Sequence, residues 1–291
     1  MAGAALPYLD SESGSDEAPP DAAEDRAFNV SVLVMTFNEE VNIARCLSSI
    51  RWSNDVVVID SGSTDATTAI AATFPNVRLF HRPFTNFADQ RNYGIHQIAY
   101  RNEWLLILDA DEEIDPALQD ELARLRPDTG DASVYLVRRS VVLEDQVLRW
   151  NLTSAFWIER LFRPKHVRYV GAVHEKLLFE GAPGRLNGRI RHYQFHKGID
   201  DWLERRARYA EMESTARSET LAGNSGVMGG VIARRNMVKR LFYRLPARWA
   251  VYYMVSLLFS LAFLDGRKGL KYVGLEAYSQ YLATRNRKHA R

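Results

Sequence analysis

The sequence predicts an α/β fold: a mostly parallel sheet with helices on both faces, followed by a helical C-terminus. Two observations carry that expectation. Between residues 30 and 109, apolar runs alternate with helical periodicity four times, which is the pattern of βαβ units. The last of these runs, Trp104–Leu108, passes straight into Asp109-Ala110-Asp111. It reads as a strand buried on both faces that delivers carboxylates to its carboxyl end, where open α/β sheets bind ligands.

The elements follow in order. Val30–Met35 is a continuous apolar run ending in Thr36-Phe37-Asn38-Glu39-Glu40, and Val41, Ala44, Leu47 and Ile50 then recur at helical spacing. Asp55–Asp60 is the next strand and runs into Ser61-Gly62-Ser63-Thr64-Asp65, with Asp65 as N-cap of a helix through Thr73. Val77–Phe80 is a short strand, and a helix from Phe87 to Tyr100 leads to the Trp104 strand. Asp115-Pro116 is an N-cap and first turn of a further helix. Beyond Leu125 the pattern turns strand-rich, with short runs at Val134–Arg138, Ser140–Leu143 and Phe156–Phe162.

Composition limits the classes open to the chain. It has 291 residues, 46% of them hydrophobic, and one cysteine, Cys46, so no internal disulfide framework holds it together. The N-terminus shows no positively charged, apolar leader. Residues 1–27 are acidic and poor in apolar side chains, and read as a disordered tail. From Arg234 onward the chain carries thirteen Lys or Arg against two acids, Asp265 and Glu276. Those bases alternate with Leu, Phe and Tyr, which argues against a nucleic-acid partner and for an anionic membrane surface. Trp249–Leu264 is sixteen residues without a charge. As one helix it would span ~24 Å, short of a bilayer core of ~30 Å, so the expectation is a helix lying in or dipping into the leaflet.

Three strand ends bring Thr36, Asn38 and Glu40, then Asp60, then Asp109 and Asp111 to one edge of the sheet. Asp109 and Asp111, two apart, can face one site in a strand-like geometry, and oxygen ligands suit Mg²⁺ or Mn²⁺ carrying phosphates. No Gly-x-Gly-x-x-Gly follows the first strand, and no P-loop signature occurs. Val173-His174-Glu175 lacks the second histidine of a zinc protease.

Thr-Phe-Asn-Glu-Glu, Asp-Ser-Gly-Ser-Thr-Asp, Gln90-Arg91-Asn92-Tyr93-Gly94 and Asp-Ala-Asp, in that order and spacing, resemble a family 2 glycosyltransferase of the GT-A, Rossmann-like fold. The resemblance covers residue 30 to about residue 200. It implies that Thr36, Asn38, Glu40 and Asp60 hold the nucleotide of a nucleotide sugar. Arg91 would reach the base or diphosphate, Asp109 the ribose, and Asp111 the metal. Glu175, by its place in Val-His-Glu, would be the catalytic base, and His192 would complete the metal or phosphate shell. Glu112 and Glu113 stand in reserve as bases, and Trp150 and Trp157 could stack on a sugar. Asp265-Gly266-Arg267-Lys268-Gly269 is similar to the ending of bacterial lipopolysaccharide-core and exopolysaccharide glycosyltransferases.

The expected organisation is a tail over 1–27, a transferase domain over 28–222 and a basic helical region over 223–291. Within the domain, 28–128 is the nucleotide-sugar half and 129–200 the acceptor half. The expected activity is inverting, metal-dependent transfer from a nucleotide sugar, a UDP-sugar in the first instance, to a glycan or lipid-linked acceptor. The expected place is the inner face of the cell membrane, as a peripheral protein. The rival is a non-catalytic module that binds nucleotide sugar or glycan at the membrane.

Overall fold

The computed structural model describes residues 30–125, 132–152, 156–171, 175–220 and 248–289. The tail expected over 1–27 and the glycine-rich break at 223–230 lie outside these residues.

Strands β1 (Val30–Thr36), β2 (Val56–Asp60), β3 (Val77–His81) and β4 (Trp104–Asp109) form the parallel half of a nine-stranded sheet, in the order β3-β2-β1-β4. Helices α1 (Ile43–Ser49), α2 (Thr67–Ala71) and α3 (Phe87–Gln97) connect them. The strands alternate strictly between two cores. Val32, Val34, Val58, Leu106 and Leu108 pack with Ile43 and Leu47 of α1 and with Leu118 and Leu122 of α4 (Pro116–Arg124). Leu33, Val57, Ile59, Leu105 and Ile107 pack with Ala88 and Ile95 of α3 on the other face. The helices therefore cover both faces, as expected. Gly94 lets α3 lie close, since a Cβ there would stand 2.5 Å from Leu33 Cδ2.

The sheet continues through β8 (Trp157–Phe162), β6 (Val134–Leu143), β11 (Gly184–His192) and β5 (Glu112–Ile114), with β7 (Gln146–Val147) beside β6. β8 is antiparallel to both β4 and β6, and β5 is antiparallel to β11, so this half is mixed. A separate ribbon, β9 (Arg168–Val170) with β10 (Lys176–Leu178), packs over α3 through Tyr169 and Leu177.

Several boundaries differ from the expectations. Val134–Arg138 and Ser140–Leu143 are one ten-residue strand, because its pairing with the strand Gly184–His192 runs on through Arg138, Arg139 and Ser140, and the Arg139 side chain finds a partner in the buried Glu112. Val41 is 50% exposed, and the buried stripe of α1 is Ile43, Cys46 and Leu47. The N-cap position of α2 is Ala66, although Asp65 accepts from the Thr67 amide. α3 stops at Gln97, as the following Ile98 turns extended. Asp115 caps α4 by accepting from the Leu118 amide at 2.8 Å, with proline in the first turn as expected.

After α5 (Ile199–Thr220) the described chain resumes with α6 (Arg248–Leu258) and α7 (Gly266–His289). The uncharged run is not one helix: it breaks after Leu258, and Leu261 takes the left-handed conformation with φ 56°. Among the described residues no single helix is long and apolar enough to cross a membrane, though α6 and the helical segment after the break meet that measure as a pair bent by 75°. Ala262, Tyr272 and Val273 share a core with Val141, Leu143, Leu148 and Trp202, so the C-terminal helices pack on the mixed half.

Candidate functional site

The register places Thr36 beside Asp60 and Met35 beside Asp109, so β1, β2 and β4 end at one level. Two loops there are laced together. The Asn38 amide donates to Ser63 Oγ, the Glu39 amide to Thr67 Oγ1 and the Glu40 amide to Asp65; in return, Asn38 Oδ1 accepts from the Thr64 amide. Asn38 takes φ 53° to make this turn, a conformation asparagine tolerates. Asp60 is buried and accepts from the Gly62 and Ser63 amides at 3.0 Å each. Its carboxylate thus shapes the loop itself. Glu40 is exposed and accepts from the Ala66 amide at 3.0 Å, at the start of α2. Thr36 Oγ1 is buried with no partner, an orphan of the kind that marks a place for a ligand.

Asp109 and Asp111 are joined by a turn and not by a strand, since β4 ends at Asp109 and β5 begins at Glu112, and the charge of Asp109 is felt at Asp111. The Asp109 carboxylate accepts from Arg91 at 3.3 Å and from Arg160 at 3.0 Å. Burial would raise its pKa, but Arg160 and Arg91 outweigh burial and hold it well below the carboxylate range. Pairing of β5 with β11 sets His192 opposite Glu112. That pairing brings His192 Nε2 to 3.2 Å from Asp111 Oδ2. Burial opposes ionisation of Asp111 too, and His192 overcomes it, so this carboxyl is also lowered.

Glu175 reaches the same patch from the other side. Arg91 Nε lies 3.1 Å from Glu175 Oε1. The Asn92 side chain donates to the Tyr169 carbonyl and accepts from its amide, each at 2.8 Å, and so fixes β9 against α3. The Gln-Arg-Asn segment thereby joins Asp109 to β9, the strand of the ribbon that precedes Glu175. His174 and the rest of 172–174 lie outside the described residues.

The expected reserve bases are committed elsewhere. Glu112 is fully buried and ion-paired with Arg160 at 2.7 Å and Arg139 at 3.5 Å, while Glu113 accepts from the Tyr193 hydroxyl. Trp157 is held between Arg138 and Arg185, whose guanidinium carbons stand 4.5 and 5.3 Å from its ring centre. His196 sits against Arg45 at 3.1 Å, apart from His192's contact with Asp111.

Sequence reasoning missed four contributors. Arg160, a charge within an apolar strand, was the legible one, because a buried charge requires a partner. Glu39, mostly buried, accepts from Lys197 at 2.6 Å; burial and then the charge of Asp111 raise its pKa. Arg205 of α5 stands 3.8 Å from Asp111 and is braced by Asp201 at 2.8 Å. Tyr209, one turn on, packs on Phe87 with ring centres 5.5 Å apart. Partial burial and then the charges of Asp109 and Asp111 raise its hydroxyl. α5 thus lines the site.

Among the described residues no three His, Cys, Asp or Glu side chains form a metal-holding group. Asp111 and His192 converge as a pair, and two protein ligands suffice for Mg²⁺ or Mn²⁺ when substrate phosphates and water complete the shell. The donor set fits an ion that arrives with a diphosphate. A cavity of about 860 Å³ lined by Arg163, Lys165, His166 and Arg168 lies elsewhere, beside the start of β4.

The model of the family described as "Glycosyl transferase family 2" matches residues 31–185, more than half of the chain. The lipopolysaccharide core biosynthesis glycosyltransferase LpsC of Rhizobium meliloti is 26% identical over 202 residues, covering 66% of this chain and 72% of its own. A PGL/p-HBAD biosynthesis glycosyltransferase of Mycobacterium bovis is 30% identical over 171 residues, 55% of this chain and 64% of that one. An uncharacterized glycosyltransferase of Rickettsia typhi is 35% identical over 94 residues, and the match spans about a third of each chain (32% and 31%). Among solved structures, the mannosyltransferase PcManGT of Pyrobaculum calidifontis, in complex with GDP-Man and Mn²⁺, shares the fold. Its TM-score is 0.50 at 17% identity, over 92% of this chain and 89% of that one. The motif order, the sheet and the match over 31–185 agree, and the chain is a member of glycosyl transferase family 2.

Proposed function

We propose that the protein is an inverting, metal-dependent glycosyltransferase. It moves a sugar from a nucleotide sugar, a UDP-sugar in the first instance, to a glycan or lipid-linked acceptor in cell-envelope polysaccharide synthesis. The observation that carries this reading is a single guanidinium: Arg91 contacts Asp109 at 3.3 Å and Glu175 at 3.1 Å. One cation thus joins the acid on the donor side to the acid assigned as base. The relative named for lipopolysaccharide core biosynthesis supports the acceptor class, and the neighbour bound to GDP-Man and Mn²⁺ supports the donor class and the metal.

In this reading the nucleotide lies over the laced loops, with Thr36 Oγ1 and the Asn38–Ser63 turn against base and ribose, and Asp109 near the ribose. Asp60 acts by holding the loop that forms this floor. Asp111 and His192 would hold Mg²⁺ or Mn²⁺, which when bound supplies positive charge against the diphosphate. Arg91, and Arg205 from α5, add charge to the same region. The acceptor oxygen attacks the anomeric carbon in line, its proton passes to Glu175, and the bond to the diphosphate breaks with the electron pair leaving on the nucleotide. We also assign the protein to the inner face of the cell membrane, bound peripherally.

The test is a panel of UDP- and GDP-sugars with Mg²⁺ or Mn²⁺, read as nucleoside diphosphate release and as thermal stabilisation. One preferred donor that stabilises the protein only with metal and is turned over supports the reading. Stabilisation without turnover on any acceptor would favour the binding module.

A further inference from the structure

The last two helices present an apolar surface that the sheet does not cover. α6 turns Val251, Met254 and Leu258 outward at i, i+3 and i+7, one stripe of a helix. The break after it adds Phe259, Phe263 and Leu264. Phe259 is 80% exposed and Leu258 61%, far beyond what a water-facing turn needs.

This tip is firmly mounted. Asp265 is buried and accepts from the Arg149 amide at 3.1 Å and the Trp150 amide at 2.8 Å, while its carbonyl accepts from Gln146 at 3.0 Å. Lys268 and Lys271 bond to Glu144 in the β6–β7 turn. Gly269 permits the close fold-back, since a Cβ there would lie 2.1 Å from the Ala262 carbonyl oxygen. The Asp-Gly-x-x-Gly segment is therefore a clamp. It fixes the tip to the mixed half of the sheet and sets exposed Trp150 and Arg149 at the tip's flank. Arg149 and Arg267 are exposed, and neither guanidinium is ion-paired with an acid among the described residues, the Arg149 bond to Asp265 being through its backbone amide.

We infer that this tip is a bilayer anchor, inserting into an anionic phospholipid leaflet. Met254, Leu258, Phe259, Phe263 and Leu264 enter the acyl region, Trp150 sits at the interface, and Arg149 and Arg267 meet lipid phosphates. Eleven residues of α6 give ~16 Å against a hydrocarbon core of ~30 Å, so the bent pair dips and returns. The arginines favour lipid over a second copy of the chain. A second copy of this tip has no free acid to meet them, since Asp265 is buried and Glu144 is paired with Lys271, whereas anionic headgroups neutralise them. This deepens the membrane location proposed above and uses none of the transferase chemistry.

The test is co-sedimentation of the full chain with phosphatidylcholine vesicles, with and without phosphatidylglycerol, across salt. The expected result is binding that needs phosphatidylglycerol and weakens with salt. The combined Phe259→Ser, Phe263→Ser and Leu264→Ser variant should lose binding by at least about tenfold. Phe259→Trp, which keeps an apolar side chain, should be quenched by acyl-brominated lipid, a readout that stands even if the triple variant fails to fold. A wild type left in the supernatant at low salt, a triple variant that sediments normally, or an unquenched Phe259→Trp indole would each overturn the inference. So would a triple variant that turns a dimer into a monomer while binding vesicles unchanged. Uridine diphosphate affinity, measured on the same samples, tests the transferase reading separately.

Discussion

Arg91 Nε lies 3.1 Å from Glu175 Oε1, and the same guanidinium donates to Asp109 at 3.3 Å. One side chain thus bridges two carboxylates, although 66 positions separate Glu175 from Asp109 in the sequence. A sugar hydroxyl is a poor nucleophile until its proton is accepted. Glu175→Gln is therefore expected to lose turnover by about 10²–10⁴, with nucleotide-sugar affinity near normal by calorimetry. Equal loss of donor affinity would make Glu175 a ligand or a positioning residue instead.

Asp111 faces His192 at 3.2 Å and has little else to neutralise it except Arg205 at 3.8 Å. Asp111→Asn is expected to abolish the metal dependence of UDP binding and to lower activity by orders of magnitude, with the fold intact by circular dichroism. His192→Ala should weaken metal-dependent binding in the same direction. Full wild-type activity in excess chelator would exclude a metal from the reaction.

Glu112 is a matter of stability. It is fully buried against Arg160 at 2.7 Å and accepts from the Asp109 amide at 3.0 Å. Removing one partner of such a pair leaves a charge uncompensated, so Glu112→Ala should cost about 3–5 kcal/mol in urea unfolding. A cost near zero would mean that water or a neighbouring acid takes over Arg160.

Acid should expose the Asp109 pairing. Its folded pKa is held below the ordinary value of 3.8, so its contribution is complete above that value and is lost as pH falls through the folded one. The stability gap between wild type and Asp109→Asn should therefore be constant from neutral pH to about pH 5 and shrink below about pH 4. Unfolding midpoints taken across that range check it; a gap that stays constant into strong acid would show that the arginines do not stabilise the ionised form.

The sequence by itself determined the parallel half of the sheet, because strands buried on both faces leave uninterrupted apolar runs and their ends carry the polar motifs. It also determined that Asp109 and Asp111 lie at a strand's carboxyl end and that the motif order is that of family 2. Tertiary structure alone decided what most of the carboxylates are paired with. Asp60, Glu112 and Glu113 look alike as acids at strand ends or turns, yet Asp60 is satisfied by amides of its own loop, whereas Glu112 and Glu113 are satisfied by an arginine and a hydroxyl 48 and 80 positions away. It also decided that Glu39, Arg160 and Arg205 join the site, since their partners lie 158, 51 and 94 positions away in the sequence. Local periodicity carries no information about such contacts. The same holds for the C-terminal run, which reads as one helix by composition. The run breaks at the left-handed Leu261, and the Asp265 clamp that follows depends on a surface that exists only once the mixed half of the sheet has formed.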